Sequence, residues 1–221
     1  MRRVVLDSST KYVDGKGHLF KSRLELTVSK LLTFLGQHYE YNFSIRLSDG
    51  SLAILDFKVG DRYIEVLDTD AEGRLILADG LSYLSKNYKT DFLIDLATLT
   101  GSSVRMFGDT CAAMFSNNEE LKNNLIKTGD LTNQRVWNLP LWDVWKDDIQ
   151  SDVADIKNIS LKPIGDCIIA AKFLEQFIEN HPKWAHLDIA GVAFGTVGYA
   201  REKAATGYGV QLLVNLIENY H

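Results

Sequence analysis

Apolar residues along this chain follow two rhythms that change over near residue 66. In RLELTVSKLLTFLG, Leu24, Val28, Leu31, Leu32 and Leu35 recur three or four apart, which lines them along one helix face, and Gly36 suits the C-cap that ends it. Three runs of strand-forming residues come next: YEYNFSIRL, SLAILDFKV after the turn pair Asp49-Gly50, and RYIEV after Gly60-Asp61. Residues 1–66 are thus predicted to be a small α+β segment, one helix followed by a three-strand meander.

Downstream, helix and strand patterns alternate. LILADGLSYLSKN (75–87) and EELKNNLIKTGD (119–130) read as helices, and CIIAAKFLEQFIENH (167–181) as an amphipathic one with Ile168, Ala171, Phe173 and Phe177 on its apolar face. DFLIDLATL (91–99) is nearly continuous apolar sequence, as expected of a strand covered on both faces. WAHLDIAGVAF (184–194) reads as another strand, and GYGVQLLVNLIENY (207–220) as a closing helix. Residues 67–221 are therefore predicted to be an α/β unit, a mixed sheet flanked by helices. No repeat, low-complexity tract or Pro-, Gly- or Ser-rich linker interrupts it.

Composition narrows the function classes. With 46% hydrophobic and 24% charged residues over 221 positions, the chain can bury a real core. A net charge of -5 argues against a general polyanion binder. No apolar run approaches the roughly 20 residues that span a bilayer, and MRRVVLDSSTKYV has two arginines but no apolar signal core; a cytoplasmic protein is expected. Cys111 and Cys167 fit no metal or redox spacing and are expected to be reduced, buried small side chains.

The candidate chemistry centres on LDTDAEGRLILADGL, residues 67–81. Asp68, Asp70 and Glu72 stand at every second position with Arg74 after them, so an extended backbone would crowd three carboxylates and a guanidinium on one face. Like charges that close repel unless a cation sits among them, and hard divalent cations take several carboxylate oxygens. The competing reading is a helix start, with Thr69 or Asp70 as N-cap and acids in the first turn.

TDAEGRLILADGLSY, DFLIDLATLTGSS, WAHLDIAGVAFG and ATGYGVQLLVNLI, in that order, resemble the catalytic domain of the leucyl (cytosol) aminopeptidase family over residues 64 to about 219. The resemblance implies an aminopeptidase-like α/β/α sandwich and a two-metal exopeptidase using manganese or zinc. By position, Asp70 and Glu72 would be metal ligands, with Glu72 bridging both ions. Arg74 would hold a bicarbonate or carboxylate-like general base, its planar fork of donors suiting that role. Thr98, Leu99 and Gly101 would contact a peptide substrate. The family also forms hexamers, so a homo-oligomer is implied.

The chain departs from that pattern in two places. Asp68 stands where the family usually has Asn. Upstream, the family needs a lysine and an aspartate from a GKGxxFDSGG segment, a further lysine and another aspartate. Here DGKGHLF keeps Gly15-Lys16-Gly17, but Lys21 occupies the aspartate position and no SGG follows. Two carboxylates alone rarely hold two ions in catalytic geometry, so an incomplete dinuclear site with weak or absent activity is expected.

Residues 12–66 are instead similar to the opening part of a PD-(D/E)xK nuclease-like domain, with Glu25 on a helix and Asp56 and Glu65 on strands as magnesium ligands. Leu67 replaces the lysine two positions after the second acid, and Leu55 the proline before Asp56. A magnesium-dependent nuclease-like or nucleic-acid-binding module through residues 12–66 is therefore the alternative, and a non-catalytic oligomer subunit a third. The expected division is 1–66 and 67–221, joined at IEVLDTDAEG. Elsewhere, His186 is read as a hydrogen-bonded structural histidine beside Asp188, the tryptophans of RVWNLPLWDVWKDD as packing or oligomer anchors, and Asp147, Asp148, Asp152 and Asp155 as a solvated acidic face.

Overall fold

The computed structural model describes residues 12–13, 19–20, 41–46, 52–68, 70–198 and 201–220, with side chains from residue 58 onward. The helix predicted over 23–36, and Glu25 with it, lies outside the described residues.

A four-stranded sheet forms the centre of the molecule. It comprises β6 (Leu93–Ala97), β7 (Ala112–Ser116), β8 (Val136–Asn138) and β10 (Trp184–Asp188), in the spatial order β6-β10-β7-β8. β10 runs parallel to β6, with Trp184 opposite Leu93, and antiparallel to β7, with Leu187 opposite Met114; β7 and β8 are parallel. The predicted mixed sheet is present. A second sheet has the order β3-β4-β5-β9, from β3 (Tyr41–Arg46), β4 (Leu52–Val59), β5 (Arg62–Glu65) and β9 (Ile156–Lys157). Its first three strands are the predicted antiparallel meander. Its fourth arrives from 90 residues further along and pairs in parallel with β5, Ile64 opposite Ile156. Two-residue ladders join β1 (Tyr12–Val13) to β2 (Leu19–Phe20) and β11 (Phe194–Gly195) to β12 (Ala204–Ala205).

Helices cover both faces of the central sheet. Leu75, Ala78 and Leu81 of α1 (Gly73–Asn87) and Phe173 and Leu174 of α4 (Asp166–Leu174) pack with Leu93 and Trp184 on one face. They share that core with Val59, Ile64 and Ile156 of the second sheet. α2 (Gly101–Phe107) lies on the same side, where Phe107 meets Ala113, Phe115 and Cys167. On the other face, Leu121 and Leu125 of α3 (Glu119–Thr132) and Leu212 and Leu216 of α5 (Val210–Asn219) pack against Met114, Ala185 and Leu187. A helix layer is thus sandwiched between two sheets, which explains why α4 is apolar nearly all round: seven of its nine residues are buried.

Element ends differ from the periodic expectation where side chains take over the backbone bonds. The strand predicted over 91–99 stops at Ala97 because the Leu99 amide donates to the Asp188 carboxylate (3.1 Å) instead of continuing the ladder. The one predicted over 184–194 ends at Asp188, after which Val192 and Ala193 donate back to the Ile189 carbonyl. α4 gives way to a 3₁₀ turn at Glu175–Phe177, and Glu179 and Asn180 adopt left-handed backbone (φ 49° and 59°) that no α-helix continues through. α5 begins at Val210 rather than 207 because Gly207 and Gly209 hold φ of 71° and 94°. A Cβ on Gly209 would lie 2.6 Å from a Leu96 methyl, so the glycine also sets how closely the chain crosses β6.

Lys172 is completely buried and donates to the Leu141 carbonyl (3.1 Å), Asp143 (3.1 Å) and Glu175 (2.6 Å), which pins the loop before the 3₁₀ turn at Asp143–Trp145 onto α4. Lys146 and Lys172 beside Asp143 hold its carboxyl below the usual range.

Phe173→Ala is expected to lower unfolding stability by about 3–5 kcal/mol through lost burial and a residual cavity. Leu161→Ala, at a side chain left 74% exposed, should stay within about 0.5 kcal/mol; urea unfolding followed by fluorescence measures both. Burial pushes the Asp79 carboxyl on α1 above its ordinary 3.8, so the folded chain binds that proton more tightly than the unfolded one. The associated stability is present below the unfolded value and lost as pH rises through the higher folded value. Asp79→Asn is therefore expected to raise the urea midpoint at neutral pH, with the gain vanishing near pH 3, below the unfolded value.

Candidate functional site

The acidic segment does not run as a strand. The Asp70 amide donates to the Asp68 carboxylate (2.9 Å) and the Ala71 amide to the Asp68 carbonyl (3.4 Å), which turns the chain back on Asp68. The every-second-residue face expected of Asp68, Asp70 and Glu72 is thereby dissolved. The capping expectation is corrected as well: Glu72 is the N-cap of α1, its side chain makes no capping bond, and no acid lies in the first turn.

The turn is shaped by Asn158, which follows β9 and is fully buried. Its carboxamide oxygen accepts from the amides of Leu67 (2.9 Å) and Asp68 (3.4 Å), while its nitrogen donates to the carbonyls of Asp68 (2.6 Å) and Ala71 (3.4 Å). Its own amide donates to the Glu65 carbonyl (3.0 Å), so the β5–β9 ladder sets its depth. The Asn158 carbonyl in turn accepts from the Arg74 guanidinium at 2.9 Å. A second guanidinium nitrogen pairs with Asp166, the first residue of α4, at 3.2 Å, and the Arg74 Nε is buried with no partner. Arg74 itself is only 3% exposed.

The opposite wall is the loop after β6. Asp188, buried at the end of β10, accepts from the Thr100 hydroxyl (2.6 Å) and from the amides of Leu99 (3.1 Å) and Ala190 (3.2 Å). The Thr100 side chain caps α2 by accepting from the Ser103 amide (3.3 Å), and Ser102 donates to Asp166 (3.3 Å). Between the walls lies a cleft of about 180 Å³ at the carboxyl ends of β6 and β10, where ligands of open α/β sheets are expected. It brings together Asp68, Asp70, Arg74, Leu99 and Gly101 with Asp166.

Glu72 is half-buried and Thr98 exposed, and neither lines this cleft. Glu65 faces elsewhere, its carboxylate accepting from the Ser151 hydroxyl at 2.7 Å. Asp56 lies on β4 with its side chain outside the described residues. His186 is fully buried, 2.5 Å from an Asp95 oxygen whose partner oxygen accepts from the Trp184 indole (2.9 Å), as a structural histidine should be. Asp188 shares a strand face with it but serves the Leu99–Thr100 loop. One expectation is corrected: Cys111 is half-exposed, whereas Cys167 is buried. Asp147, Asp152 and Asp155 are exposed, and Asp148 is largely buried against Lys162 at 2.5 Å. Trp142 and Trp145 stack at 5.5 Å on the surface, while Trp184 is core.

Sequence reasoning missed Asn158, Asp166 and Thr100. The available signal was slight: Asp166 after Gly165 is a first-turn acid, a pattern shared by many helices that line no site.

Among the described residues, no three His, Cys, Asp or Glu side chains converge to hold a metal ion. Asp166 is paired with Arg74, and one oxygen of Asp68 accepts from its own turn.

Fold and cleft together define an α/β sandwich with a polar ligand cleft at the strand ends. The model of the cytosol aminopeptidase family, catalytic domain, matches residues 54–214, and the chain belongs to that family. It is similar to the probable cytosol aminopeptidases of Chlorobaculum parvum (51% identical over 157 residues, 71% of this chain and 31% of that one) and Chlorobium limicola (48% over the same length and shares). The one from Rickettsia canadensis is 49% identical over 161 residues, 72% of this chain and 32% of that one. The chain thus spans about a third of the length of the curated relatives it matches.

Asn158→Ala leaves two amides and two carbonyls of the acidic turn without their partner. It is expected to cost about 1–3 kcal/mol and to speed hydrogen exchange at Leu67 and Asp68 while leaving the β10 amides protected.

Proposed function

We propose that the chain carries one part of a metal-dependent aminopeptidase site and, by itself, hydrolyses N-terminal residues from peptides weakly or not at all. Asp70 and Glu72 would contribute carboxylates toward a manganese or zinc pair, and Leu99 and Gly101, with Thr98 beside them, the wall for a peptide substrate. The remaining donors would have to come from outside the described residues. Arg74 is the observation that carries this reading. Its guanidinium is buried and committed to Asp166 and the Asn158 carbonyl, so a resident carboxylate sits where a bicarbonate would be held. Only Nε is unspent.

In this reading residues 67–221 are the peptidase-like unit and 1–66 a segment joined to it through the β5–β9 ladder, with the family match reaching back across the join to residue 54. The cytoplasm is its expected compartment: no helix among the described residues is long and apolar enough to cross a membrane, and the relatives carry the name cytosol aminopeptidase. A magnesium-dependent nuclease built on Asp56 and Glu65 is not favoured, because Glu65 is tied to Ser151.

The purified chain, supplied with manganese or zinc and a leucine anilide, is expected to show background hydrolysis and fewer than two bound ions per chain by mass spectrometry. Two ions with turnover that is lost in Glu72→Ala would overturn the incomplete-site reading.

A further inference from the structure

β8 is an edge strand whose main chain is only half-paired. The Ala112 amide donates to the Arg135 carbonyl (3.1 Å) and the Leu139 amide to the Met114 carbonyl (2.8 Å), with Ala113 opposite Trp137 between them. In a parallel pair such bonds fall to every second residue, so 135, 137 and 139 face β7. The N–H and C=O groups of Val136 and Asn138 therefore point the other way, and among the described residues no strand pairs with them.

The same residues line a groove of about 590 Å³ that α3 also walls, through Lys122, Ile126 and Asp130, spaced four apart on one helix face. The chain passes from α3 to β8 through Asn133 in left-handed backbone (φ 56°), and a Cβ on Gly129 would lie 2.9 Å from the Gln134 carbonyl. Helix and strand are thus pressed together where β8 begins. Arg135 stands at that end, its Nε 4.0 Å from Asp130 and its side chain 66% exposed, which leaves guanidinium donors for a further anion. Further along, Ile126 and Val136 share one apolar cluster, Trp137 is 63% exposed on the other strand face, and the Asn138 carboxamide oxygen is buried without a donor.

We propose that this groove binds the carboxyl end of an extended peptide, which adds to β8 as an antiparallel strand. The unspent groups carry the argument: Val136 and Asn138 are two residues apart and face one way, the spacing at which alternate residues of an extended chain exchange N–H and C=O bonds. The last peptide residue pairs with Val136 and the third from last with Asn138. Antiparallel addition then sets the terminal carboxylate at Arg135, where the groove narrows. Both paired residues turn their side chains to the Val136 face beneath α3, which suits valine, and the residue between them lies on the Trp137 face. A polynucleotide does not fit, because the groove holds Asp130 and its Lys122 is already paired with Glu119. β8 lies at the far end of the central sheet from β6, and the inference does not rest on the catalytic reading.

The probe is the peptide Thr-Val-Thr-Val with a fluorescein-blocked N-terminus and a free carboxyl group, titrated with the full chain and followed by polarisation. Its blocked N-terminus gives an aminopeptidase nothing to hydrolyse, so the result is independent of activity. Saturable binding below about 1 mM is expected, together with slower amide exchange at Val136 and Asn138. Thr-Pro-Thr-Val lacks the donor opposite Asn138 and should bind roughly tenfold more weakly. The C-terminal carboxamide form, and Arg135→Ala with the original peptide, should each weaken binding about fivefold. No saturation below about 1 mM would overturn the proposal, as would a proline or carboxamide peptide that binds as well as the original. Val136 and Asn138 amides already protected in the free chain would overturn it too: a second copy covers the edge if that protection grows with protein concentration, and a segment of the same chain if it does not.

Discussion

A buried carboxamide organises this molecule. Asn158 spends its side chain on four main-chain groups of the acidic turn and its main chain on Glu65 and Arg74. Because an unpaired buried polar group costs more than the pair gains, that set is close to all-or-none. The turn, the start of α1 and the last residues of β5 are consequently held by one residue some ninety positions away. The second sheet is needed for this: without the pairing of β9 on β5, nothing would carry Asn158 to that depth.

Charge compensation follows the same geometry. Buried charges survive only when paired and hydrogen-bonded. The buried Arg74 meets Asp166, Lys172 meets Asp143 and Glu175, and Asp188 accepts hydrogen bonds from hydroxyl and amide donors. These choices leave a cleft whose acidic residues are already partly engaged. In the cleft, Arg74 and Asp166 pair with each other.

The long helices and the two buried strands were legible from periodicity because their signal is a repeated burial pattern that needs no partner to be seen. β7, β8, β9 and α2 were not, being short segments whose stability comes from neighbours: AAMFS becomes a strand because β10 and β8 flank it, and Ile156–Lys157 because β5 does. Of the site, Asp70, Arg74, Leu99 and Gly101 were implied by the family resemblance, and they line the cleft. Glu72 and Thr98 do not line the cleft; for Glu72, the turn at Asp68 breaks the alternation that would have put all three acids on one face.

Sequence alone determined the family, the α/β class and the order of the principal elements, because family strings and apolar periods are local and survive without knowledge of contacts. Tertiary structure decided which acids meet and what Arg74 holds. Those outcomes depend on residues ninety positions apart arriving at one point, and no local pattern encodes the distance between side chains that the fold brings together.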